Sequence, residues 1–205
     1  MKSESKPIPA ALGFRVKSGW AMAVLLTGKS DHLQIVKCEP ILLSDAKVPQ
    51  TKQPFHAALE LPEKEGRAVA GKLCKIVAQA ALVSVKALLQ EAAAAGYRVR
   101  GAGLIVGSLV DPATLHNDHM RAHGLEGELF RTVVEEALAS ENIPYAVLVE
   151  KEAYRGAGML LDRSPEETKG VIANLGKSRE GSWRAEEKLA ALGAWTMLAA
   201  GERLK

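Results

Sequence analysis

The side chains most able to do chemistry crowd into one stretch, LHNDHMRAHGLEGELFR, residues 115–131. It holds three of the five histidines, His116, His119 and His123, with Asp118, Arg121, Glu126 and Arg131 among them. His119 and His123 are four apart, so on a helix they share a face and could chelate one divalent metal. The spacing lacks the glutamate of the helical zinc-hydrolase motif. No cofactor or metal is therefore expected, a divalent ion being the lesser alternative. The better reading is an anion site made by His116, His119, Arg121, His123 and Arg131, aided by a helix N-terminus. Solvated capping and surface histidines are the plainer alternative. A catalytic site would draw on His119, His123 and Glu126, or on Glu187.

Two further segments carry charge in a suggestive pattern. In LGFRVKSGWAMAVLL, residues 12–26, a tight turn sets Arg15, Lys17 and Ser18 at the tip of a hairpin. A guanidinium forks onto phosphate or carboxylate and an ammonium adds a point charge, so this tip is a second candidate for binding an anion. In GKSREGSWRAEEK, residues 176–188, stand Lys177, Arg179, Trp183, Arg184, Glu186, Glu187 and Lys188. Trp183 beside Arg184 could stack on a base. Alternatively Trp183 is a hydrophobic staple, with the two glutamates complementing a helix dipole.

The elements that must position these groups follow from periodicity and punctuation. Residues 1–9 read as a loose arm. Strands at 11–15, 20–26 and 33–43 have links too short for a parallel crossover, so they form an antiparallel meander, with Gly28 in the turn at 27–32. Residues 44–66 contain Pro49, Pro54 and Pro62, which rule out a central strand or a regular helix. A structureless link of that length is often functional.

Leu73, Ile76, Val77, Ala80, Ala81, Leu88 and Leu89 recur at helical spacing and predict a helix over 63–95, stopped by Gly96. GAGLIVGSLVD, 101–111, reads as a buried parallel strand whose carboxyl end offers Gly107 and Ser108. A helix at 121–141, a strand at 143–150, a capped helix at 165–175 and a closing helix at 184–202 complete the chain. In an open α/β sheet, ligands gather at the carboxyl edge of the strands, where the histidine segment and the hairpin tip would meet.

Composition bounds the rest. With 205 residues, 47% hydrophobic and 25% charged, the chain suits one soluble α/β domain, 10–205, with a long loop at 44–66. Aromatic content of 4% means that the core rests on Leu, Val, Ile and Ala. A formal charge of +3 permits an anionic partner without demanding one. The two cysteines, Cys38 and Cys74, form no Cys-x-x-Cys pair and read as buried thiols. The polar first ten residues lack a signal-peptide core, and no uninterrupted apolar run suits a membrane span. The expected location is cytoplasmic. Serine-hydrolase, phosphate-loop and dinucleotide motifs are missing, since GAGLIVG begins inside a strand.

The order of elements resembles the ribonuclease H-like fold, and LGFRVKSGWAMAVL resembles the first hairpin of Holliday-junction resolvases in that superfamily. The resemblance implies an α/β fold: a mixed sheet of three antiparallel and then two parallel strands, with helices on both faces. It also implies carboxylates converging on Mg²⁺. One is expected on the first strand, where this chain has Phe14 and Arg15. Another belongs near the end of the fourth strand, where Gly107 and Ser108 stand with Asp111 three residues on. A last one belongs early in the closing helix, where Glu186 and Glu187 stand.

A weaker similarity is to the middle domain of class-I release factors. The corresponding loop here has Gln50, Gln53 and His56 but no Gly-Gly-Gln. Three readings follow. One is a protein that binds RNA or DNA through a basic sheet edge without the metal carboxylates. Another is an unconventional His/Glu nuclease or hydrolase. The third is an interaction protein using the 44–66 loop, with a homodimer or a ribosome-associated domain as its forms.

Overall fold

The computed structural model describes residues 6–29, 32–178 and 180–203. Arg179 and part of the turn at 27–32 thus lie outside the described residues. Five strands form one mixed sheet: β1 Ile8–Lys17, β2 Trp20–Lys29, β3 His32–Leu42, β4 Tyr97–Val106 and β5 Tyr145–Val149, in the order β3-β2-β1-β4-β5. β1 pairs antiparallel with β2, and β2 with β3, while β4 runs parallel to both β1 and β5. The architecture is the expected one of three antiparallel and then two parallel strands.

The arm expected at 1–9 is corrected at its end, and its first five residues lie outside the described ones. Ile8 and Pro9 belong to β1, because the Ile8 N–H reaches the Gly96 carbonyl at 2.9 Å and the strand continues beside β4.

The helices are α1 Glu63–Ala94, α2 Asp118–Ser140, α3 Ala153–Leu161, α4 Pro165–Leu175 and α5 Ala185–Arg203. α1 and α2 cover one face of the sheet, where Leu12, Phe14, Val16, Leu104, Val85, Phe130 and Val134 form a common core. α3, α4 and α5 cover the other, around Val24, Ile105, Ile172 and Trp195. An 18-residue window of α1 has mean hydropathy 1.6, enough by length and composition to cross a membrane. Its buried residues Ala70, Leu73, Val77, Ala81, Val85, Leu88 and Ala92 nonetheless fall on one stripe, which is the pattern of a helix laid on a core.

α3 has no counterpart in the sequence reading. Its AYRGAGMLL carries two glycines, which weaken helix propensity. Packing decides instead: a Cβ on Gly158 would sit 2.5 Å from the Arg163 carbonyl, so the chain must turn back there. Asp162, left-handed at φ 57, makes that turn.

α4 begins as expected, with Ser164 and Glu167 capping each other's backbone N–H. The Ser164 backbone N–H, and after it the Ser164 hydroxyl, hold the Glu167 carboxyl below its ordinary value. A depressed carboxylate contributes stability fully above its unfolded pKa and loses it as pH falls through the folded one. Ser164→Ala is expected to cost about 1 kcal/mol at neutral pH, and less at a pH below both values. Urea unfolding at the two pH values checks this, and an equal cost at both would confine the loss to the Ser164 hydroxyl's bond with the Glu167 N–H.

The 44–66 segment is not structureless. It folds into 3-10 turns at Pro49–Lys52 and His56–Ala58 and ends inside α1. Buried Thr51 donates its hydroxyl to the Val48 carbonyl at 2.6 Å, and the Ser44 hydroxyl donates to the Gly19 carbonyl at 2.9 Å. The prolines that forbid a regular helix start and space these turns instead. The segment is docked on the body of the protein, so the expectation of a structureless link is corrected.

Candidate functional site

Side chains alternate along β1. Leu12, Phe14 and Val16 enter the core beneath α1 and α2. Gly13, Arg15 and Lys17 point the other way, toward α5. The bare face of Gly13 admits α5 to backbone contact, since a Cβ there would lie 1.8 Å from the Ala190 carbonyl oxygen. That contact brings the first turn of α5 beside the hairpin tip, where Lys17 Nζ lies 3.6 Å from Glu186 Oε1.

Arg15 is only 4% exposed. One guanidinium nitrogen, Nη1, donates to the carbonyls of Val16 at 2.7 Å and Ile105 at 3.4 Å. The other, Nη2, forms an ion pair with Glu150, the residue after β5. β4 lies between β1 and β5, so the side chain reaches across its end to tie three strands together. The expected open anion-binding cation at the tip is therefore corrected for Arg15, which is an internal strut, while Lys17 stays partly exposed beside Glu186.

Off the carboxyl ends of β1 and β4 opens a cleft of about 230 Å³, lined by Arg15, Lys17, Ser18, Gly107, Ser108 and His123 over Val106 and Phe130. The hairpin tip, the end of the fourth strand and the histidine helix thus share one rim. The other sequence candidates lie elsewhere or are otherwise engaged.

His116 is exposed before α2. Arg121 donates from Nε and Nη2 to the Leu115 carbonyl and from Nη1 to Asp118 Oδ1 at 2.9 Å, so it braces its own helix start. It lines a separate groove with Cys74, whose thiol burial pushes up. Arg131 lies 3.9 Å from Glu128 and 3.6 Å from Glu135 along α2. Trp183 is corrected from a stacking platform to a packing group: its indole N–H donates to the Ile172 carbonyl at 2.8 Å and its ring lies against Gly176 at the end of α4, so neither a free stacking face nor a staple on its own helix is what the structure has there. Glu187 is corrected from a catalytic candidate to a cap. It is buried and accepts from the Arg184 N–H at 3.0 Å and the Ser182 hydroxyl at 2.9 Å. The side chain of Arg184 is exposed and that of Lys188 half-buried.

Beside the cleft, α2 brings His119 and His123 together with a residue the sequence reading left out of its site, His56 of the docked loop. The three ring centroids lie 4.3–4.7 Å apart. His119 and His123 approach at 3.2 Å through their Nε2 atoms. Glu126 Oε1 accepts from His56 Nδ1 at 2.8 Å and from the His56 backbone N–H at 3.3 Å. Glu126 is fully buried, which corrects its place among the catalytic candidates: it holds a loop and touches no open space. The available signal for His56 was a lone histidine within a proline-rich loop of functional length.

No protein-family model matches the sequence, and no curated protein matches it. Solved structures match in fold. RuvC from Thermus thermophilus aligns with TM-score 0.56 at 10% identity, covering 95% of this chain and 96% of that one. The same protein in complex with Holliday junction substrate aligns with TM-score 0.55 at 9% identity, covering 95% of each. The yeast mitochondrial Holliday junction resolvase Ydc2 gives TM-score 0.46 at 12% identity, over 98% of this chain and 83% of that one. Sheet order, the helical layers on both faces and near-complete mutual coverage by RuvC agree: this protein has the ribonuclease H-like fold.

Proposed function

We propose that the protein binds nucleic acid, branched DNA being the first class to test, through the cleft off β1 and β4, and that this cleft does not perform two-metal cleavage. The carrying observation is the Arg15–Glu150 ion pair. The resemblance to resolvases implies a metal carboxylate on the first strand, and this chain has there a guanidinium fixed by two carbonyls and a glutamate. A fixed cation repels Mg²⁺, and Glu150 is already engaged, so the residues present do not fit a pair of such ions. Of the closing-helix acids, Glu187 caps α5 and Glu186 faces Lys17.

The nucleic-acid half of the reading rests on fold likeness to RuvC, one of whose structures holds a Holliday junction substrate, and on donors around the cleft. Ser18 and Ser108 are exposed on its rim, Lys17 is half-exposed, and Arg184 is exposed two residues before Glu186.

Labelled four-way DNA junction, duplex DNA and single-stranded RNA, titrated by fluorescence anisotropy, test this. Neutralising two or three phosphates should weaken binding roughly ten- to forty-fold between 50 and 200 mM salt. Lys17→Ala should lower the salt slope by about one. Glu186→Ala, which frees Lys17, should tighten binding. Affinity indifferent to salt, or Mg²⁺-dependent cutting of the junction by the wild-type protein, refutes the proposal.

A further inference from the structure

We infer that His56, His119 and His123 form a binding site for one first-row divalent metal ion, Zn²⁺ foremost. Glu126 is the buried carboxylate that orients His56. One ring nitrogen from each of the three histidines lies within 4.8 Å of the other two. A tetrahedral zinc site with Zn–N bonds near 2.0–2.1 Å needs its nitrogens roughly 3.3 Å apart. The 3.2 Å between His119 and His123 already meets that spacing, as expected for residues one turn apart on a helix.

Two further features point to a ligand. The Nδ1 of His56 is taken by Glu126, which leaves Nε2 as the ring nitrogen available to an ion, and that buried Nε2 has no hydrogen-bond partner among the described residues. A carboxylate behind a histidine in this way fixes the tautomer and raises the basicity of the metal-facing nitrogen. Glu126 Oε2 is also buried without a hydrogen-bond partner among the described residues, so one oxygen of an interior carboxylate is unused there. A buried anion is costly unless a positive charge lies near, and a dication on the far side of His56 supplies one.

Imidazole nitrogens select zinc and its neighbours over Mg²⁺ or Ca²⁺, which prefer oxygen. The site is thus chemically distinct from the carboxylate centre that the fold resemblance implies. His56 comes from the docked loop and the other two from α2, so the ion would clasp residues 44–62 to the body. Three protein ligands leave a fourth position for water or another donor.

The test uses the full chain, stripped with EDTA and titrated with Zn²⁺ by calorimetry, and with Co²⁺ by visible absorption. One Zn²⁺ per chain is expected, with a rise in Tm. His56→Ala should weaken binding at least 100-fold, and Glu126→Gln 10- to 100-fold. The wild-type Co²⁺ complex should show the intense bands of four-coordinate cobalt, a readout that survives if Glu126→Gln fails to fold. The weak spectrum of six-coordinate cobalt, or His56→Ala binding as tightly as wild type, would mean only a surface histidine pair and overturns the site. Neither result bears on the nucleic-acid reading, whose assay contains no zinc.

Discussion

Gly13→Ala is expected to destabilise the protein by about 3 kcal/mol, the upper end for overpacking a core. The added Cβ would lie 1.8 Å from the Ala190 carbonyl oxygen and 2.4 Å from the Ala194 nitrogen. Both are backbone atoms of α5, so no side chain can swing away and the helix itself must lift. Across the sheet Gly103 faces Gly193 in the same manner, with its Cβ position 2.2 Å from the Gly193 oxygen, so a lifted α5 would lose both close contacts. The control is Gly71→Ala on α1, where nothing among the described residues lies within 4 Å of the new methyl. Helix propensity predicts a gain there of about 0.5–1 kcal/mol. Urea midpoints for the two variants should move in opposite directions. A Gly13→Ala midpoint equal to wild type would mean that α5 does not rest on β1 as described. The same helix carries Glu186 to Lys17, so this variant should also loosen the rim of the cleft.

The second large effect concerns Arg15 and Glu150, and it is asymmetric. Glu150 is 43% exposed, whereas Arg15 is buried. Removing the arginine leaves a carboxylate that water can reach. Removing the glutamate leaves a buried guanidinium with only two carbonyls. Glu150→Ala is therefore expected to cost about 3 kcal/mol, the low end for an orphaned buried charge because Arg15 borders the cleft. Arg15→Met keeps the packing of the stem and removes the charge, and should cost about 1 kcal/mol or less. The double variant should then be about 2 kcal/mol more stable than Glu150→Ala alone, a coupling that a double-mutant cycle reads directly. Additive losses would show that the ion pair is incidental. Arg15→Met also isolates recognition from stability: DNA affinity unchanged in that variant would confine Arg15 to its role as a strut.

Several elements were legible from local pattern because local rules decide them. The hairpin at Arg15–Trp20 follows from its turn and short link, α1 from its apolar stripe and Gly96, and α4 from Ser164, Pro165 and Glu167. Each depends on residues within a turn or two of one another. α3 was not legible, because its glycines argue against a helix until the close approach to Arg163 is known. The docking of residues 44–62 was not legible either, since prolines state what a segment cannot be and leave open what it rests on.

The sequence by itself determined the order of the five strands and of every α-helix but α3, the antiparallel meander, and the expectation that the hairpin tip and the histidine segment meet at one sheet edge. These follow from link lengths and periodicity, which are properties of neighbours along the chain. Only the tertiary structure decided what the charged groups do there. Arg15 meets Glu150, 135 residues later, and His56 meets Glu126, 70 residues later. Whether a cation is an open binding group or an internal strut depends on which distant carboxylate folding brings beside it and how much water is excluded, and no spacing in the sequence encodes that.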